Sequence, residues 1–146
     1  LFGGWSIHNL DSKGRLAIPA KFRSILNQQG SQGIYVTTST KCLVCYPDQE
    51  WSVLTDKVSK LPLLDKKAQA FRRYFISGAT PCILDKQGRI LIPPVLRDMA
   101  GLDGQVLLAG MQKTFEIWDK DLFYEERRKI AEEFDDLSTA MAELGI

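Results

Sequence analysis

At 146 residues, 45% of them hydrophobic and 25% charged, the chain has the composition of a folded protein with room for one shared core or two small fused ones. No apolar run approaches the roughly 20 residues that cross a bilayer, and the opening Leu1-Phe2-Gly3-Gly4-Trp5 lacks the basic start and long apolar stretch of a secretory signal. These absences set the expectation of a cytosolic protein without a membrane partner, whose chain, opening on Leu, is expected to lack one or more residues at its start.

The net charge of +1 hides a segregation: from Asp119 onward nine acids face four bases, a net of −5, which leaves +6 on the first 118 residues. Asymmetry of this kind points to a surface for a polyanion. Residues 6–10 alternate polar with apolar and read as a strand. Asp11-Ser12-Lys13-Gly14 supplies turn chemistry and residues 15–18 resume a strand, so a strand, turn, strand hairpin is expected, with Gly14 at a positive-φ position. Pro19 suits the first turn of a short helix over residues 20–26, followed by a loop over 27–33.

Residues 33–38 and 42–46 read as two further strands. Cys42 and Cys45 form a C-x-x-C, but alternation along a strand sends them to opposite faces, and only Cys82 and His8 could complete a metal site. Three cysteines fit a reducing compartment and buried thiols better than a disulfide framework or a metal centre. Beyond them, Trp51, Leu54, Val58 and Leu61 form one helical stripe, and Leu64, Ala68, Phe71 and Phe75 a second, interrupted near Pro62.

The pattern then begins again, because Asp85-Lys86-Gln87-Gly88-Arg89 repeats Asp11-Ser12-Lys13-Gly14-Arg15. At a constant offset of 74, Leu10, Asp11, Gly14, Arg15, Ile18, Pro19 and Arg23 meet Leu84, Asp85, Gly88, Arg89, Ile92, Pro93 and Arg97. The offset falls to 72 where Tyr46 meets Trp118 and Trp51 meets Phe123, so a loop has lost two residues. Strands over 105–109 and 114–118 echo the earlier pair, making each repeat strand, strand, short helix, strand, strand, helix. Units of about 70 residues bury too little surface to be secure alone, so the halves are expected to share a core. The last segment carries Phe123, Ile130, Phe134, Leu137, Met141 and Leu144 at heptad-like spacing, which suits internal packing and a contact between subunits equally well.

The bases gather at the repeated motifs: Lys13, Arg15, Lys21 and Arg23 face only Asp11, and Lys86, Arg89 and Arg97 face only Asp85. The planar fork of Arg15 or Arg89 matches guanine O6 and N7 or a phosphate, and it equally suits a brace to the aspartate across its own turn. Lys13 and Lys86 belong to the turn tips, where they reach phosphates or are simply solvated. Arg23 and Arg97 fall on the short helices, and Val95 stands in the second copy where the first has Lys21, which favours the first repeat for nucleic acid. His8 reads as structural, and no nucleophile, metal or phosphate-cradle constellation accompanies it, so neither an enzyme nor a cofactor is expected. Trp51 and Trp118 are expected to cap strand-to-helix corners, and Trp5, which has no counterpart, is open to a subunit contact.

From end to end the chain resembles the MraZ family of bacterial proteins. The resemblance rests on the two D-x-x-x-R motifs, on Gly14-Arg15-Leu16-Ala17-Ile18-Pro19-Ala20-Lys21-Phe22-Arg23 and Gly88-Arg89-Ile90-Leu91-Ile92-Pro93-Pro94, and on Arg72-Arg73-Tyr74-Phe75-Ile76-Ser77-Gly78-Ala79 and Glu116-Ile117-Trp118. It implies an α+β fold, a double-split β-barrel of the AbrB-like swapped-hairpin kind made by two tandem SpoVT/AbrB-like repeats in one chain, with flanking helices. The first repeat would span 1–79 and the second 80–146. It further implies a ring-shaped homo-oligomer that binds direct repeats in double-stranded promoter DNA, a cytoplasmic, nucleoid-associated regulator repressing the division and cell-wall gene cluster, its own gene included. Lys13, Arg15, Lys21, Arg23, Lys86, Arg89 and Arg97 would then meet DNA, while Asp11, Gly14, Asp85 and Gly88 hold the turns. The competing reading is an oligomeric scaffold without selective DNA binding.

Overall fold

In the computed structural model, which describes residues 1–146, the turn and strand signals of the first half give β1 (Trp5–Asn9), β2 (Arg15–Ala17), α1 (Ala20–Gln28), β3 (Gly33–Thr38) and β4 (Leu43–Pro47). Two helices follow, α2 (Asp48–Ser59) and α3 (Lys66–Phe71), the second running on into a π-helical turn at Arg72–Ile76. The second half supplies β5 (Thr80–Ile83), β6 (Arg89–Leu91), α4 (Pro94–Ala100), β7 (Gln105–Gly110) and β8 (Phe115–Asp119), then α5 (Lys120–Glu132) and α6 (Phe134–Glu143). Both repeats thus share the element order read from the sequence, and Pro19 and Pro93 immediately precede α1 and α4.

The strands form a six-stranded antiparallel sheet in the order β1-β7-β8-β4-β3-β5 and a separate two-stranded ribbon of β2 and β6. This corrects the expected hairpin. Asp11 N–H donates to the Arg15 carbonyl at 3.1 Å and closes the turn, but beyond that bond β1 pairs with β7 and β2 with β6. The first strand of the second half crosses in the same way, β5 pairing with β3. Burial explains the exchange, because Leu16 and Ile18 are 0% and 1% exposed in the core they share with the other repeat. Each such side chain contributes about 1.5–3 kcal/mol when removed from water. A local hairpin would offer only ladder bonds that the β2–β6 ribbon supplies anyway.

The two halves are related by a pseudo-twofold axis. Ser6 lies opposite Leu108 and Thr80 opposite Val36, the same pairing shifted by the two repeat offsets. Leu16 opposite Ile90, and Val44 opposite Glu116, are pairs of equivalent residues and mark the axis itself. A single core results, with Phe22, Leu26, Ile34 and Val36 from the first repeat packed among Leu96, Val106, Leu108 and Ile117 from the second.

The aromatic residues follow the same symmetry with local departures. Trp51 meets Tyr46 edge-on with ring centres 5.4 Å apart, and the equivalent Phe123 meets Trp118 at 5.6 Å. Trp5 rests on Phe123 at 5.8 Å beneath the Arg127 guanidinium, 4.7 Å from the ring centre, and remains 48% exposed. Phe2, which drew no structural reading from the sequence, is 2% exposed; its backbone bridges to Gln112 and its ring sits 5.2 Å from both Phe22 and Phe115.

Cys42, Cys45 and Cys82 are buried and free, and burial raises all three thiol pKa values, that of Cys82 to about 11. The terminal apolar seam is divided between α5 and α6 at Glu133, and Ile130, Phe134, Leu137 and Leu144 lie exposed along it. No helix is long and apolar enough to cross a membrane.

Candidate nucleic-acid interface

Each D-x-x-x-R segment folds into a turn locked by its own aspartate, whose short side chain reaches back to the following amides. Asp11 Oδ1 accepts the backbone N–H groups of Lys13 at 3.0 Å and Arg15 at 2.8 Å, and Oδ2 accepts Arg15 Nε at 2.7 Å. Asp85 reproduces the set with Gln87 N–H at 2.8 Å, Arg89 N–H at 2.9 Å and Arg89 Nε at 3.0 Å. Gly14 and Gly88 take φ of +88° and +75°, a region that L side chains enter only with strain. The backbone N–H of Arg15, then its side chain and the Lys13 N–H, hold the Asp11 carboxyl down at about 2. The backbone N–H groups of Arg89 and Gln87, helped by the Arg89 side chain, lower Asp85 in the same direction. Hydrogen bonds to the ionised form have this effect.

The brace uses only part of each arginine. Arg15 and Arg89 reach their aspartates through Nε alone, and their terminal Nη1 and Nη2 groups have no partner in the chain. Strand alternation then decides where those groups stand. Arg15 pairs with Leu91 and Ala17 with Arg89, so these four residues share the outer face of the ribbon, while Leu16 and Ile90 point into the core. The two forks are set diagonally across that face, their α-carbons roughly 8 Å apart by strand spacing and rise. Ala17 and Leu91 complete the surface and were missed from the sequence; their signal was the position two residues beyond each motif arginine.

The remaining cations sort by the ends of the ribbon, not by repeat. Arg97 extends from α4 of the second repeat to the first turn, where a Cβ placed on Gly14 would lie 2.7 Å from its Nε. Arg23 extends from α1 of the first repeat to the second turn, where a Cβ on Gly88 would lie 2.5 Å from its Nη1. One end therefore carries Lys13, Arg15 and Arg97, and the other Lys86, Arg89 and Arg23. Among these only Arg15 and Arg89 are ion-paired. Lys21 stands apart, its Nζ 3.4 Å from the Gly3 carbonyl beside the N-terminal arm. His8 Nε2 lies 2.7 Å from Ser6 Oγ, and burial lowers its pKa. No group of three or more His, Cys, Asp or Glu side chains is placed to hold a metal ion.

The family described as "MraZ protein, putative antitoxin-like" matches the chain twice in succession, over residues 1–74 and again over 75–144. The chain belongs to the MraZ family. A protein named transcriptional regulator MraZ from Desulfitobacterium hafniense strain Y51 is 41% identical over 146 residues, which is 100% of both chains. One of the same name from Halothermothrix orenii is 42% identical over 146 residues, again 100% of both. A third, from Syntrophobacter fumaroxidans, is 48% identical over 119 residues, 82% of this chain and 79% of that one. Tandem duplication is therefore a property of the MraZ match as well as of the fold, and in this MraZ chain it yields two braced turns at opposite ends of one ribbon.

Proposed function

We propose that this MraZ-family chain regulates transcription by binding double-stranded promoter DNA with the outer face of the β2–β6 ribbon. The observation that carries the proposal is the division of labour within Arg15 and Arg89: Nε braces the turn and both Nη groups remain free. A two-stranded ribbon fits the major groove of DNA, and a fixed guanidinium edge there can bond guanine O6 and N7 together. Lys13 and Lys86 reach the flanking phosphates as flexible point charges. On this reading each arginine is both brace and reader, the brace aiming the reader.

One chain presents few cations, and each phosphate neutralised adds only a modest, salt-dependent gain. Several chains joined in a ring and seated on spaced direct repeats gain avidity through effective concentration. The exposed Ile130, Phe134 and Leu137 on α5 and α6 supply an apolar surface for that assembly. Occupying the promoter of the division and cell-wall cluster, its own gene included, excludes polymerase and makes the chain a repressor, cytoplasmic and associated with the nucleoid. The six-stranded sheet and ribbon together are read as a double-split barrel, with the two SpoVT/AbrB-like repeats dividing just before β5, at 1–79 and 80–146.

The test is fluorescence anisotropy of the intact oligomer on DNA from upstream of its own gene and on scrambled DNA, across a salt series. Arg15→Ala is expected to weaken binding to the native sequence by about ten- to a hundredfold, the worth of one bidentate base contact. Arg15→Lys, which keeps the charge and loses the fork, is expected to keep the salt dependence and lose the discrimination between the two DNAs. Weak, equal binding to both DNAs, unmoved by either substitution, would put the oligomeric scaffold reading ahead.

A further inference from the structure

We infer that Arg23 and Arg97 are crossed positioning residues, each holding the D-x-x-x-R turn of the other repeat so that Arg15 and Arg89 are set as one rigid pair. The Arg97 guanidinium is anchored within its own repeat, its Nε donating to the Ile92 carbonyl at 3.1 Å. From there it lies against the bare α-carbon of Gly14, where a Cβ would come within 2.8 Å of its Cζ. Ile92 N–H donates to the Gly14 carbonyl at 2.9 Å, so the first turn is gripped from the second repeat at two points. The other end is built the same way: Arg23 Nη1 donates to the Ile18 carbonyl at 3.1 Å, its guanidinium covers Gly88, and Ile18 N–H donates to the Gly88 carbonyl at 2.9 Å.

Each turn glycine thus meets two demands. It adopts a left-handed backbone, and it leaves the flat space that a planar guanidinium from the other repeat fills. An arginine suits that space because its fork is rigid and donates in the plane of the ring-like group. Arg15 and Arg89 follow the two glycines directly in sequence, so the placement of each fork depends on a residue far away in the chain, Arg97 for Arg15 and Arg23 for Arg89, a dependence of the kind that contact networks carry. The part of this inference that concerns DNA rests on the function proposed above; the structural part does not.

Two experiments separate them. Amide hydrogen exchange on the free full-length protein reads the turns directly, because Lys13, Gly14, Arg15 and Ile92 N–H close the first and Gln87, Gly88, Arg89 and Ile18 N–H the second. Arg97→Ala is expected to speed exchange about tenfold in the first set and leave the second within about twofold, with Arg23→Ala doing the reverse. Arg97→Lys, which keeps a donor, is expected to restore part of the protection, and Arg97→Met, which fills space without one, is not. Faster exchange in the opposite set to the one expected, in both sets alike, or in neither would overturn the inference.

On DNA, the losses from Arg97→Ala and Arg15→Ala are expected to combine to less than their sum, whereas Arg97→Ala and Arg89→Ala add. Full additivity with Arg15→Ala would show that Arg97 does not act through Arg15 and would overturn the positioning role. Crossed exchange without selective DNA binding by the parent protein would remove the proposed function alone.

Discussion

Asp11 secures its turn as an anion. Its folded pKa of about 2 lies below the ordinary 3.8, so its contribution to stability is complete above about pH 4 and is lost as pH falls through 2. Asp85, shifted in the same direction for the same reason, adds to the loss over that window. Asp11→Asn keeps an acceptor for the two amides but removes the charge, and thermal melts of the variant are expected to lose part of their dependence on pH between about 4 and 2. A slope equal to that of the parent protein would mean that the turn does not need the ionised form. The arginine partner is the more legible half of the pair, since charge and spacing alone mark it. What the residues could not disclose was the use of Nε for the brace, which leaves Nη1 and Nη2 outward; that is a matter of side-chain direction within a closed turn.

The β2–β6 ribbon is three residues wide on each strand and stands or falls with its buried middle. Leu16 and Ile90 face each other on the axis at 0% and 1% exposure, so Leu16→Ala is expected to cost about 2–5 kcal/mol in denaturant unfolding, the range for an unfilled core cavity. A cost below about 1 kcal/mol would mean that the ribbon is not joined to the core. The elements themselves were largely readable, because alternation in β1, turn chemistry at the two motifs and proline before α1 and α4 are local signals. Their partners were not. A strand of three residues carries no period from which to infer a neighbour, and β2 is placed by burial against a segment 74 positions away. The break at Glu133 was hidden because apolar spacing continues through it, and the π-helical turn because Phe71 and Phe75 keep a four-residue step that α and π geometry both tolerate. The N-terminal arm gave no structural signal, since one Phe beside two glycines has no pattern, although Phe2 closes the core.

For the whole molecule the question is what covers the apolar residues left outside. Phe134 and Leu137 are 57% and 43% exposed on α6, more apolar surface than a solvated helix needs. Replacing both with Asp is expected to reduce the molar mass seen by light scattering and leave the circular dichroism of the chain unchanged; an unaltered mass would place any subunit contact elsewhere. The pseudo-twofold axis through Leu16 and Ile90 has its own effect on the proposed DNA complex. Turned end for end, the ribbon shows nearly the same face, and a duplex has local dyads of the same kind. A single chain would therefore lie on its site in two nearly equivalent directions. Direct repeats have a polarity, and only residues that the duplication did not keep in common can read it: Ala17 against Leu91 on the outer face, Ser12-Lys13 at one tip against Lys86-Gln87 at the other, and, off the ribbon, Lys21 against Val95. On the proposed complex, the heading of the protein along DNA would thus be written in the mismatches between its halves.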